Sequence, residues 1–307
     1  MESRDFESVA AGAHRAEERT RFGWEDWTWD PSLFQGSAAH YRRGRVPYAE
    51  GLAGTVASAL GLDGTGRLLD VGCGPGVIAL RLAHLFAAVV GLDPDPDMLG
   101  EARRAAAEQG VTNASWVQMR AEDLPAGLGT FTVIVFAQSF HWMDRPKVAA
   151  AVRTMVEPRG AVVQIDPGRD YMAEGRGAKP GPHPAMPLQA IDDLRKEYLG
   201  PDRRAGRGFR NTSPSGEDAI FQASGFWPEQ RVSVPDSRIL DRTTDDTVAW
   251  VLSASSTAPH LFGDKAHDFE ADLRALLTET SPSGHFSVPL SDTTVQIRRP
   301  RIDAADS

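Results

Sequence analysis

The sequence predicts an α/β protein built on one doubly wound, mostly parallel sheet with helices on both faces. Three observations carry that prediction. Between residues 67 and 166, short apolar runs of strand length alternate with segments whose apolar residues fall at helical spacing. The runs are almost continuously apolar, as strands covered on both faces must be. Glycines cluster where the first run gives way to the first of these helices.

The elements follow in order. Residues 1–30 are rich in Glu, Arg and Ala and then in tryptophan, with Trp24, Trp27 and Trp29. The first half reads as a solvated helix, and the tryptophans need a surface to cover, on this domain or on a partner. Tyr41 to Tyr48 reads Tyr-Arg-Arg-Gly-Arg-Val-Pro-Tyr, and a helix is expected after it through Leu52, Val56 and Leu60. Arg67 to Val71 is the first strand. Gly72, Gly74 and Gly76 interrupt it, and Ile78, Leu82, Leu85 and Phe86 then take helical spacing. Ala88 to Asp93 is the second strand. Asp95 and Pro96 supply an N-cap and a first helical residue, and Gly110 ends that helix. Strands are expected at Ser115–Met119, Phe131–Phe136 and Ala161–Ile165, with a helix near 146–156. Residues 167–187 hold Pro167, Pro180, Pro182, Pro184 and Pro187 and read as a loop. A helix near 187–199, a glycine-containing loop, a helix near 215–224 and a strand at Arg231–Val234 come next. Helices near 244–256 and 264–280 and a strand at Thr293–Ile297 complete the chain.

Composition narrows the function. The 307 residues carry 33 Lys+Arg against 42 Asp+Glu, a net charge of −9, which argues against a general nucleic-acid binder. Hydrophobic residues make up 41%, enough for a sizeable core. One cysteine, Cys73, excludes a disulfide framework and any multi-cysteine metal site. No apolar run reaches membrane-spanning length, and Met1-Glu2-Ser3-Arg4-Asp5 lacks the apolar core of a secretory signal, so a cytoplasmic protein without membrane partners is expected. The histidines show no metal-ligand spacing, and no metal is expected.

The most informative segment is Leu68-Leu69-Asp70-Val71-Gly72-Cys73-Gly74-Pro75-Gly76. A strand that turns through glycines into a helix lets backbone approach a ligand closely, and the free N–H groups of the helix N-terminus favour its anionic part. Asp93 ends the next strand, 19 residues after Gly74, where a carboxylate accepts both hydroxyl hydrogens of a ribose. A dinucleotide would need G-x-G-x-x-G. Here the run is G-x-G-x-G, with Val77 in place of the third glycine.

These residues resemble the class I S-adenosylmethionine-dependent methyltransferases, in the small-molecule group related to the ubiquinone/menaquinone and trans-aconitate enzymes. Three further segments match in order: Gly91-Leu92-Asp93-Pro94-Asp95-Pro96-Asp97-Met98-Leu99, Arg120-Ala121-Glu122-Asp123-Leu124-Pro125 and Ala137-Gln138-Ser139-Phe140-His141-Trp142. The resemblance covers about residues 34–166. It implies a Rossmann-like seven-stranded sheet with a terminal antiparallel strand and a helical lid. It also implies S-adenosyl-L-methionine as cofactor, S-adenosyl-L-homocysteine as product, and a small-molecule acceptor at carbon, oxygen or nitrogen.

The resemblance further implies a residue-by-residue site. Asp70 and the backbone of Gly72, Cys73, Gly74 and Gly76 would surround the methionine and ribose, and Asp93 would bind the ribose hydroxyls. Pro94 and Met98 would pack on the adenine, and Ala121 and Glu122 would contact its nitrogens. Ala137 and Gln138 would line the methionine arm. Tyr41 and Arg45 would close over the cofactor, although the family reads Arg-Pro-x-Tyr-Pro where this chain has Arg45-Val46-Pro47-Tyr48-Ala49.

Several residues keep two readings. Cys73 is a nucleophile or a small buried residue. Asp70 contacts ligand or only orients the loop. His141 is a general base or shapes the substrate pocket, and Trp142 is a wall of that pocket or core. Arg195, Lys196, Arg203, Arg204, Arg207 and Arg210 attract an anionic substrate or face solvent on a lid. The expected organisation is one domain: an N-terminal helical cap (1–50), a cofactor-binding core (51–166), a lid insertion (167–225) and a completion of the sheet (226–307). The tryptophan-rich N-terminus is the expected contact in a homo-oligomer. Two other functions remain in view, a nicotinamide-dependent oxidoreductase and a catalytically silent nucleoside-binding or interaction module on the same fold.

Overall fold

The computed structural model describes residues 29–168, 181–209 and 216–302. Its centre is a seven-stranded sheet of β1 (Arg67–Val71), β2 (Ala88–Asp93), β3 (Ala114–Gln118), β4 (Phe131–Ala137), β5 (Val156–Asp166), β8 (Gln230–Val234) and β11 (Thr293–Arg298). The spatial order is β3-β2-β1-β4-β5-β11-β8. The first five strands are parallel, and β11 runs antiparallel to both β5 and β8. The expected Rossmann-like sheet with its antiparallel terminal strand is therefore present. Strand order reverses between β1 and β4, and the carboxyl ends of strands at such a point leave a crevice for ligands.

Strand alternation builds two cores. Leu68, Val89, Val133 and Val135 face one side, against α2 (Leu52–Leu60) and α3 (Val77–Leu82). Leu69, Val90, Ile134 and Phe136 face the other, against α5 (Arg145–Met155) and α7 (Glu217–Ala223). Between β2 and β3 runs α4 (Pro96–Gln109). Asp95 caps it by accepting from the N–H groups of Asp97 and Met98, and Gly110 ends it in a left-handed conformation, as the sequence requires.

A second, smaller core lies off the sheet. It joins α6 (Leu188–Leu199), α8 (Thr244–Leu252), α9 (Ala266–Thr280) and the antiparallel pair β9 (Ile239–Thr243) and β10 (His285–Pro289). Phe262 and Phe269 stack at its centre, 4.0 Å between ring centroids. This cap holds α1 (Ala38–Gly44). The Ser37 hydroxyl donates to the Leu252 carbonyl at 2.9 Å, and Arg43 pairs with Asp246 at 2.6 Å. The Arg242 guanidinium donates to the carbonyls of Arg43, Gly44 and Asp246. Gly44 is pressed against the backbone of α8, where a Cβ would stand 2.3 Å from the Ala249 oxygen.

Three expectations change. α7 lies within the span assigned to the lid, yet Ile220 and Phe221 pack under the sheet because their ring and branched chains complete its apolar face. Residues 239–289, within the span assigned to sheet completion, form the cap instead, because Phe269, Leu273 and Leu277 face α6 and β10 rather than the sheet. β5 begins at Val156, directly after α5, with a register irregularity opposite Phe131–Val133 that absorbs the polar Glu157-Pro158-Arg159 stretch. A further short ladder pairs β6 (Arg204–Ala205) with β7 (Gly208–Phe209). Trp24, Trp27 and the first helix expected from the sequence lie outside the described residues. No helix among the described residues is long and apolar enough to cross a membrane.

Candidate functional site

The glycine turn leaves the end of β1 with Gly72, Gly74 and Gly76 all at positive φ. The N–H groups of Gly72 and Cys73 donate to the Leu92 carbonyl at 2.8 and 2.9 Å, which ties the turn to the end of β2. Gly76 opens α3, and a Cβ there would come within 2.6 Å of the Trp116 ring. Gly74 differs: a Cβ on it would meet nothing within 4 Å, and its backbone lines an open cleft.

That cleft lies open to solvent at the carboxyl edge of β1, β2 and β4. Asp93 stands at its wall. The carboxylate accepts from the Gly74 N–H at 2.8 Å and from the Asp95 N–H at 2.9 Å, one bond on each oxygen. Each oxygen keeps capacity for another donor. Burial pushes the Asp93 carboxyl up to about 6 against these two lowering bonds.

The other predicted residues fall into two groups. Tyr41, Gly72, Gly74, Pro94, Met98, Ala121, Glu122, Ala137, Gln138 and Trp142 line the cleft beside Asp93. Gln138 has φ +57°, a left-handed conformation unusual for a side chain of its size. Asp70, Cys73, Gly76, Arg45 and His141 do not line it. Asp70 is fully buried and accepts from the Ala79 N–H in α3 at 3.0 Å, which fixes the turn from behind. Its other oxygen has no hydrogen-bond partner, and burial, then the Asp93 charge, push the carboxyl up to about 7. Cys73 points its sulfur toward Gly91, and burial with the Asp70 and Asp93 charges holds the thiol well above its usual range. The sulfur is buried and outside the cleft, in keeping with a small packing residue. Arg45 sits over the Tyr41 ring, 4.7 Å from its centroid, and donates to the Ser253 carbonyl at 2.7 Å. It props Tyr41 against the cap. His141 packs against the Trp142 ring, 4.9 Å between centroids.

The sequence reading missed the opposite wall. Trp29, Asp30, Leu33 and Phe34 line the cleft, with Arg120, Ser139 and Met143. Arg120 stacks over Trp29 at 4.7 Å and pairs with Glu122 at 3.2 Å. Phe34 meets Trp142 edge-to-face, 6.0 Å apart. Asp30 accepts from the Arg207 N–H at 2.9 Å, so the β6–β7 hairpin fastens this segment in place. The tryptophan cluster was the available signal, and Trp29 has its surface in the cleft. The basic 195–210 stretch is only partly a solvated face. Arg195 is buried and donates to the carbonyls of Gly200, Pro201 and Asp202, closing the end of α6. Lys196 pairs with Asp192 and Asp193.

Residues 68–160 match the family described as a methyltransferase domain. An uncharacterized methyltransferase of Mycobacterium tuberculosis is 32% identical over 142 residues, 46% of this chain and 55% of that protein. A ubiquinone biosynthesis O-methyltransferase of Paraburkholderia phymatum is 36% identical over 100 residues, 31% of this chain and 42% of that protein. The chain thus spans about half the length of the curated relatives it matches. A solved SAM-dependent methyltransferase from Geobacter sulfurreducens, in complex with S-adenosyl-L-homocysteine, superposes with a TM-score of 0.48 at 16% identity, covering 89% of this chain and 99% of that one.

Proposed function

We propose, from the match of residues 68–160 to a methyltransferase domain, that this chain holds S-adenosylmethionine in the cleft and passes its methyl group to a small-molecule acceptor. The observation that carries the reading is Asp93. It is a nearly buried carboxylate at the end of β2, each oxygen of which already holds one backbone N–H and faces a cleft that Gly74 leaves open. A ribose diol is the donor pair that such a carboxylate lacks.

The remaining lining residues fit the same group. Met98 and Pro94 offer apolar surface to a purine, the Ala121 backbone and the Glu122 carboxylate offer polar contacts at its edge, and Gly72, Ala137 and Gln138 offer backbone at the other end. When bound, the sulfonium supplies an electrophilic methyl and loses its charge as the methyl leaves. The chain therefore needs no strong electrophilic side chain, and its work is alignment and exclusion of water. Tyr41, Phe34, Trp29 and Trp142 perform the exclusion, an apolar wall against which an acceptor with aromatic or aliphatic surface would rest. His141 touches the Trp142 ring but does not line the cleft, so loss of its imidazole should cost less turnover than loss of Trp142.

Binding calorimetry with S-adenosyl-L-homocysteine tests the reading. Wild-type protein should bind one equivalent, Asp93→Ala should lose at least about tenfold in affinity through the two hydroxyl bonds, and Asp93→Asn should fall between. Equal affinity in Asp93→Ala, or no binding by the wild type, removes the site.

A further inference from the structure

We propose that His183, Asp241 and His285 form a binding site for one zinc-like divalent ion on the β9–β10 ladder of the cap, apart from the cleft, which none of the three lines. Spacing along the chain conceals them, since even the nearer pair, Asp241 and His285, is separated by 44 positions. The ladder brings them together. Asp241 lies opposite Ser287, two residues from His285, so the two side chains are diagonal neighbours on adjacent strands.

His183 is delivered by backbone. Its N–H donates to the Ser287 hydroxyl at 3.0 Å, and the Ser287 N–H donates to the Pro184 carbonyl at 2.9 Å. Gly181 permits this approach, because a Cβ there would fall 2.2 Å from the Ser287 hydroxyl oxygen. The segment thus runs alongside β10 with His183 held in register.

The result is a set of three donor atoms, one from each side chain, all within 4.8 Å of one another. The Asp241 carboxylate divides itself between the rings. One oxygen lies 2.7 Å from His285 Nδ1, and the other lies 3.8 Å from His183 Nε2, beyond hydrogen-bond reach. The two imidazoles face each other with centroids 5.2 Å apart. Two neutral nitrogens and one carboxylate oxygen are the donors of a three-ligand zinc site, which leaves a fourth vertex to water. Ligand atoms around tetrahedral zinc stand about 3.3 Å apart, so the Asp241–His285 pair must open from 2.7 Å while the wider separations close. The side chains are 30%, 54% and 40% exposed, free to turn and open to an entering ion. Imidazole donors favour zinc, cobalt, nickel or copper over magnesium and calcium. An ion there would cross-link the 181–184 segment to the hairpin.

The test uses the full chain stripped with a chelator and then titrated with zinc chloride by calorimetry, beside cobalt titration followed in the visible spectrum and melting curves with and without zinc. One equivalent should bind, melting should rise with zinc, and cobalt should give ligand-field bands. His183→Ala and His285→Ala should each weaken binding by at least about tenfold. Asp241→Asn can keep a hydrogen bond to His285 while losing the anionic ligand, so it should weaken zinc without changing metal-free melting. His267→Ala, exposed on α9, should change nothing. No binding by the wild type, or binding that both histidine variants retain, overturns the proposal.

Discussion

At the sheet edge, the contacts that shape the cleft join residues close in the chain. Asp93 reaches Gly74 across 19 positions, and Asp70 reaches Ala79 across 9. In the cap, the contacts that hold α1 span the molecule. Arg43 reaches Asp246 across 203 positions, Arg45 reaches Ser253 across 208 and Ser37 reaches Leu252 across 215. One cleft is therefore walled by two kinds of structure. The wall that carries Gly74 and Asp93 is fixed by strand, turn and helix geometry. The aromatic wall is fixed by side chains that bond distant carbonyls. The first kind constrains local sequence tightly, and the second leaves it free wherever the long-range partners are kept.

The sharpest way to separate the two is to empty the cap's centre. Phe269 is fully buried and stacked on Phe262. Phe269→Ala should cost about 3–5 kcal/mol in cap stability. Urea unfolding followed by hydrogen exchange should show cap amides exchanging early while β1 and β4 stay protected. Equal deprotection of both regions would mean that they unfold as one unit.

The opposite experiment strains the sheet edge by pH. Burial raises the folded-state carboxyl of Asp70 to about 7 and that of Asp93 to about 6, against the ordinary 3.8. Between about pH 4 and 7 the folded, ligand-free chain holds protons that the unfolded chain has lost. Stability therefore falls as pH rises through that window. Asp70 accounts for at most about 4 kcal/mol of the decline. Asp70→Asn should flatten the slope in denaturant titrations from about pH 4 to 7, and an unchanged slope would remove Asp70 as its source.

A smaller effect is expected at the junction. Arg242→Met removes the donor to three carbonyls, at a cost of about 3 kcal/mol. It should raise exchange at residues 38–45 and leave the 70–79 turn untouched. Smallest is Cys73→Ala. The thiol fills a small buried space and is held protonated, so the variant should keep S-adenosyl-L-homocysteine affinity and lose about 1 kcal/mol or less.

The same contrast explains what could be read from the sequence. The turn, Asp93 and the Asp95 cap were legible because each rests on residues within one βαβ unit. Ten of the predicted site residues other than Asp93 line the cleft with it. Asp70 and Cys73 were legible as members of the turn but not as to side, because alternation along a strand says which face a residue takes only once the partners of that face are known. Phe34 and Leu33 were missed because no motif marks them. They reach the cleft through the Asp30–Arg207 and α1–α8 contacts, which only the folded chain brings about. The β9–β10 pairing was missed for the same reason: two short runs separated by two helices carry no hairpin signal.

The three carbonyls held by Arg242 set a rule for recombining this protein with its relatives. Grafting residues 29–45 alone onto another sheet would strand α1 without its anchor, and Tyr41, Phe34 and Trp29 would arrive at the cleft unheld. The unit that can be exchanged is discontinuous. It comprises the 29–45 segment, the stretch around α6 to β7 and the 239–289 excursion, moved together. Chimeras that respect those three cuts should keep the glycine-turn wall of one parent and the aromatic wall of the other.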